Sequence, residues 1–160
     1  GLIGKREAVD GQWAQVETQY QRRFDLIPNL VESVKGIMAQ EQAVFGAIAD
    51  ARTRYASARS IDEKATAATE VESAFARLLV VMENYPELKS AENVQTLMAQ
   101  LEGTENRVSV ERKRFNDVSR EYNVTIKRFP TNLVAGLFGF DARAYFEAAA
   151  GTEVAPRVEF

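Results

Sequence analysis

Between Pro86 and Pro130 the chain runs for 43 residues without a proline and with a single glycine, Gly103. A β fold needs turn signals roughly every 8–12 residues. None is found here, so the stretch reads as one long helix. Apolar residues recur along it at a spacing of seven: Val94, Leu101, Val108, Phe115, Tyr122 and Phe129. A second line follows Met98, Glu105, Arg112, Ser119 and Ile126. This is the stripe of a helix that buries one face, in the manner of a coiled coil.

The same pattern fills the N-terminal third. One line is Val9, Val16, Arg23, Leu30, Ile37, Val44 and Ala51, and the other is Trp13, Tyr20, Ile27, Val34, Glu41, Ile48 and Tyr55. Pro28 interrupts it. A proline in a helix interior loses a hydrogen bond and crowds the preceding turn, at roughly 3 kcal/mol; in a first turn its missing N–H costs nothing. Two readings are open: one kinked helix, or two helices that reverse at Phe24–Pro28 with Asp25 as N-cap. The reversal is preferred. Ser60-Ile61-Asp62-Glu63 is a capping box that opens another helix. Its seam runs through Ala68, Val71, Phe75, Leu78 or Leu79, Met82 and Tyr85 until Pro86 stops it. The expected fold is all-α: an antiparallel up-and-down bundle of four main helices near 5–24, 28–57, 61–86 and 90–129. A shorter-range C-terminal segment comes next, with a helical piece near Ala142–Ala149. One domain covers 1–150, and 151–160 form an irregular tail.

Composition narrows the chemistry. Cysteine and histidine are both absent. That removes disulfides, thiol nucleophiles, His-based general bases and triads, zinc fingers and the Glu-x-x-His di-iron site. Lys+Arg is 20 against Asp+Glu 23, a net charge of −3, without the basic excess that nucleic acid demands. The longest apolar run, Leu133 to Phe140, is eight residues, well short of the ~20 that span a bilayer. The chain opens Gly-Leu-Ile-Gly without Met, which suggests processing or a longer protein upstream.

Arg23, Glu41, Glu105 and Arg112 fall on otherwise apolar lines. A seam charge is costly unless paired, so these four, with Arg52 or Glu83 as further members, are expected to be buried in a structural polar network. The competing reading is an ion or ligand site. Two glutamates without histidine suit no transition metal, and a hard cation wants more oxygens. No catalytic, cofactor-binding or metal-binding residue is therefore expected, and no cofactor. Phe115-Asn116 and Tyr122-Asn123 read as core aromatics with flanking amides. Arg112-Lys113-Arg114 reads as a solvated face. Residues 131–160 carry five aromatics, Phe138, Phe140, Tyr145, Phe146 and Phe160, about twice the density of the whole chain. They either cover one end of the bundle or meet a partner or membrane surface. For the second role the residues are Phe138, Phe140, Tyr145 and Arg143, with Lys127 and Arg128 nearby.

Arg22-Arg23-Phe24-Asp25-Leu26-Ile27-Pro28-Asn29-Leu30-Val31, then Val34-Lys35-Gly36, Glu41 and Ala51-Arg52, resembles the LemA family. The likeness continues through Tyr85-Pro86-Glu87-Leu88-Lys89, Thr104-Glu105-Asn106, Arg112-Lys113-Arg114-Phe115-Asn116, Tyr122-Asn123, Phe129-Pro130 and Phe138-Gly139-Phe140. It covers about Arg6 to Phe146. Ile37 and Gln40 depart from it, standing where many members have Tyr and His, as does Phe115 where Tyr is usual. The resemblance implies a bacterial all-helical domain behind an N-terminal transmembrane or lipid anchor, with no established enzymatic activity.

The functional expectation is a non-enzymatic, membrane-tethered helical interaction or scaffold domain of the bacterial envelope. Its partners would be the membrane, through an N-terminal anchor absent from this chain, and a protein, with no nucleic acid. Both sides of the membrane stay open for the domain, the extracytoplasmic one being preferred. The alternative is a carboxylate-based ion-binding or hydrolytic bundle using Glu41 and Glu105. Helix counting also places the chain start and the Phe129–Phe146 segment at one end of the bundle.

Overall fold

The computed structural model describes residues 1–143. All regular structure among them is helical: α1 (Leu2–Val34), α2 (Gln42–Ser57), α3 (Ile61–Met82), a 3₁₀ turn at Pro86–Ser90, α4 (Glu92–Lys127) and α5 (Thr131–Phe138).

The preferred reversal at Phe24–Pro28 is overturned. α1 is one helix of 33 residues with Pro28 inside it, and Asp25 is an exposed mid-helix residue rather than a cap. Burial outweighs the proline. Phe24, Ile27, Leu30 and Val34 are all buried around it, at ~1.5–3 kcal/mol each against roughly 3 for the lost hydrogen bond and crowding. The helix ends where that stripe ends. Past Val34 come Lys35 and Gly36, both exposed, and the chain turns through residues 35–41 on bonds from the Ile37 and Met38 N–H to the Val34 carbonyl (3.1 and 2.9 Å). Met38 is buried and plugs the turn from within.

α4 is continuous over 36 residues. Its buried positions are Val94, Leu101, Thr104, Val108, Phe115, Ser119, Tyr122 and Ile126, with Asn123 buried beside them. The apolar members keep to one side of the helix at 3.6 residues per turn. A strict seven-residue line drifts about 20° per heptad from a straight helix. The second line therefore reaches the core at Ser119 and Ile126 but leaves it at Glu105, where Thr104 is buried instead.

The contacts divide the described chain into two compact units, residues 1–21 with 104–143, and residues 22–103. In the first, the start of α1 runs antiparallel to the end of α4. Lys5 Nζ meets Glu121 Oε1 at 2.6 Å, Gln12 Nε2 donates to Glu111 Oε2 at 2.6 Å, and Trp13 meets the Phe115 ring edge-on at 5.6 Å. In the second, Phe24 meets Tyr55 edge-on at 5.0 Å; both lie a similar distance from the turn at 35–41, so α2 returns along α1. α2 and α3 form a helical hairpin. Ser60 Oγ accepts from the Glu63 N–H at 3.1 Å, while the Glu63 carboxylate reaches back to the Arg59 N–H at 3.0 Å. That is the capping box with its return arm moved one residue upstream.

α5 occupies a stretch for which the sequence pattern predicts no regular element. It ends on Gly139, whose φ of 73° lies in the left-handed region. The Phe140 N–H closes the end on the Ala135 carbonyl at 2.9 Å, a glycine-terminated helix stop. Ala142 and Arg143 are not helical, and the rest of the expected piece near Ala142–Ala149 lies outside the described residues.

Candidate functional site

The charges on the apolar lines divide between the units. Arg23, Glu41 and Arg52 belong to residues 22–103, and Glu105 and Arg112 to the other unit.

Arg23 is 3% exposed, and each arm of its guanidinium has a partner. Nε and Nη2 donate to the two oxygens of Glu72 at 2.6 and 2.9 Å. Nη1 donates to the Leu101 carbonyl at 2.7 Å. The cation also lies 5.2 Å from the centroid of the Phe75 ring. The bidentate fork fixes both side chains in one geometry, so Arg23 ties α1 to α3 and α4. Glu72 is the partner that the sequence pattern does not reveal. It flanks Val71 on α3, just off the apolar line; a lone buried cation was itself the signal that such a carboxylate must exist.

Glu41, half-buried, lies in the turn before α2, and its Oε1 accepts the Tyr85 hydroxyl at 3.0 Å. That bond, then burial, then the charges of Glu41 and Glu87 push the Tyr85 phenol above its ordinary range. The contact joins the turn after α1 to the turn after α3. Arg52 is half-buried, with its Nε out of contact with water and making no hydrogen bond among the described residues. Glu105 is exposed, against expectation, because it lies outside the buried face of α4, and Arg112 is half-buried. Glu41 and Glu105 thus belong to different units. Among the described residues no three acidic side chains gather as a metal-ligand set. The open groove at the α2–α3 hairpin is lined by Arg54, Ser57, Asp62, Glu63 and Glu70, and Arg54 is already paired with Glu70 at 2.6 Å.

The C-terminal part of the first unit presents a different kind of surface. Phe129, Leu133, Val134, Leu137 and Phe138 are exposed, and on α5 Ala135 alone is buried. The segment after α5 is fixed in place. Phe140 is half-buried beneath Arg6, whose guanidinium carbon lies 4.7 Å from the ring centroid. Asn123, buried on α4, reads the main chain of Arg143 from both sides: Nδ2 donates to the Arg143 carbonyl at 2.8 Å, and Oδ1 accepts the Arg143 N–H at 2.7 Å. Arg143 Nη2 also meets Asp10 Oδ1 at 3.3 Å. Of the residues expected to form a contact surface, Phe138 is open to solvent, Phe140 and Arg143 brace the segment, and Tyr145 lies outside the described residues. Asn123 is more than the flanking amide that its spacing suggests. The chain start and Phe129 share one end of this unit, since Lys5 pairs with Glu121 and Arg6 with Phe140.

The sequence matches the LemA family model over residues 12–160. It is similar to two magnetosome proteins named MamQ in Paramagnetospirillum magneticum, each 25% identical over 172 residues that cover 91% of this chain and 63% of theirs. It is also 26% identical over 166 residues to the magnetosome protein MamQ of Magnetospirillum gryphiswaldense, across 88% of this chain and 61% of that one. The chain thus spans less than two thirds of the length of these relatives.

Proposed function

The chain belongs to the LemA family, and from that premise we propose that it is a non-enzymatic, membrane-tethered helical interaction domain of the bacterial envelope. In this reading α1 to α4 run up and down in an antiparallel bundle, and a tether lies N-terminal to these 160 residues, leaving the domain on the extracytoplasmic side with a protein partner. The tether is inferred from the family resemblance. No helix among the described residues is long and apolar enough to cross a membrane.

One observation carries the reading. The strongest polar constellation among the described residues, Arg23 with Glu72 and the Leu101 carbonyl, is built around a buried cation, whereas the exposed large apolar side chains gather on α5. A domain built this way offers contact rather than a reaction centre. The carboxylate alternative has less behind it: Glu105 is exposed and Glu41 is engaged with Tyr85.

The test is crosslinking of the full-length protein in native bacterial membranes after an alkaline wash. Retention in the washed membrane together with a reproducible partner protein supports the proposal. Loss to the supernatant overturns the tether, and crosslinks only between copies of the protein itself overturn the adaptor role.

A further inference from the structure

α5 is eight residues long, and very little of it is needed inside the molecule. Phe129 and Leu137 are each 80% exposed, Phe138 67%, Leu133 63% and Val134 48%. The other exposed large apolar residues, such as Ile37, Val80 and Val110, are scattered singly along the chain, which is ordinary. On α5 the rows Leu133–Leu137 and Val134–Phe138 lie side by side and open an apolar arc of roughly 140°, with Ala135 on the docked side. A contiguous face of this kind marks a contact.

Charge identifies the occupant. From Tyr122 to Phe140 the chain has no Asp or Glu, while Lys127 and Arg128 stand exposed just ahead of Phe129. A protein of net charge −3 therefore carries its widest apolar face beside a locally cationic step. The segment is also preorganised. Gly139 stops the helix, Arg6 covers Phe140, and Asn123 holds the Arg143 main chain. A short, fixed helix with a broad apolar face, basic residues at its entry and no acid between Tyr122 and Phe140, the nearest being Asp141 beyond its stop, has the chemistry of an interfacial element.

We propose that α5, with Phe129, seats in the boundary between headgroups and acyl chains of an anionic bilayer, where Lys127 and Arg128 meet the anionic headgroups. This deepens the membrane-tethered reading and rests on it for the choice of lipid over protein. It assigns the bilayer a second contact that requires no tether.

The experiment uses these 160 residues alone. Because the chain contains no cysteine, Leu137→Cys gives a unique site for an environment-sensitive fluorophore, and Val80→Cys on α3 gives a control. The probes are vesicles of phosphatidylcholine alone, or of phosphatidylcholine and phosphatidylglycerol in equal parts. The expected result is a several-fold, blue-shifted rise at position 137 with the anionic vesicles, weak change with neutral ones, and none at position 80. In co-sedimentation, Lys127→Gln and Arg128→Gln should each weaken binding roughly fivefold, and Leu137→Glu at least about tenfold, with helicity unchanged. Added salt should weaken binding as screening sets in. Three results overturn the proposal: no response at position 137 to either vesicle; binding that ignores lipid charge and both basic substitutions; or a lipid-free dimer that Leu137→Glu dissolves, which would assign the face to a second copy. A photocrosslink from position 137 to a protein in native membranes, in place of lipid, would also overturn it. Failure here leaves the tether standing if the full-length protein still resists the alkaline wash. Vesicle binding by this chain beside a full-length protein that washes off would separate the two the other way.

Discussion

Arg23 holds a full charge where almost no water reaches it, and its stability there depends on Glu72. Removing one member of a buried pair leaves the other uncompensated, at ~3–5 kcal/mol. Glu72→Ala should therefore cost several kcal/mol in urea denaturation. Glu70→Ala, which breaks the exposed pair with Arg54, should cost about 1 kcal/mol or less. Similar losses in the two variants would show that Arg23 finds other support. The exposed pair Lys5–Glu121 has a different signature. The hydrogen bond from Lys5, then its charge, holds the Glu121 carboxyl below the ordinary carboxylate range. A lowered folded-state value means that the contribution is present above the ordinary carboxylate value and is lost as pH falls through the folded one. Carboxyl NMR titration should find Glu121 low in the intact chain and back in its usual range in Lys5→Met. For Tyr85 the sign is reversed. Its raised value favours the neutral phenol, so that contribution is present below the ordinary tyrosine range and is lost as pH rises through the folded value. Glu41→Gln should lower the Tyr85 titration, and no movement would deny the contact. Arg23 was legible in the sequence because a charge on an apolar line stands out. Glu72 was not, because a carboxylate one step off a seam looks like any surface acid. Glu105 was misread because a seven-residue ruler and a straight helix diverge over several turns.

α1 shows why elements were easier to find than their ends. The apolar period predicted helix on both sides of Pro28, but a proline's cost is local, whereas the burial that opposes it is spread over the neighbouring turns. Pro28→Ala should restore the N–H that can donate to the Phe24 carbonyl. An increase in stability of about 1–2 kcal/mol is expected once the lost proline stiffness of the unfolded chain is deducted. A decrease in the urea midpoint would mean that packing of the half-buried ring outweighs the hydrogen bond. The end of α5 makes the opposite case. Gly139 has φ 73° and open space around its Cβ position, so Gly139→Ala meets backbone strain alone, at roughly 1–2 kcal/mol. Thermal denaturation should show the loss, and an unchanged midpoint would mean that the left-handed turn is dispensable. α5 itself escapes a sequence pattern because its apolar residues are not on a buried stripe. They are nearly continuous and face outward, so no periodicity announces a helix.

At the scale of the whole molecule, the all-helical class followed from the two long proline-poor stripes, while the turn expected at Phe24–Pro28 lies at residues 35–41 instead. The division into two units was not legible, because its boundaries, 21/22 and 103/104, fall inside unbroken helices α1 and α4 and carry no linker composition. Buried residues flank both boundaries: Tyr20, Arg23 and Phe24 on α1, and Leu101 and Thr104 on α4. Amide protons there should exchange with solvent as slowly as those at the centre of either unit. Fast exchange confined to residues 20–24 or 101–105 would mean that the helices open at the boundaries.

The grip of Asn123 on Arg143 leads somewhere else. A side-chain amide that binds the N–H and the carbonyl of one residue recognises no side chain at all. The Arg143 guanidinium supplies the link to Asp10, but the grip itself asks only for a carbonyl and an N–H. For this grip alone, any residue but proline can be held at position 143, whereas position 123 needs a side chain with a separate donor and acceptor, as the amide has. Two neighbours in space live under opposite rules of change, one written in the side chain and the other in the backbone.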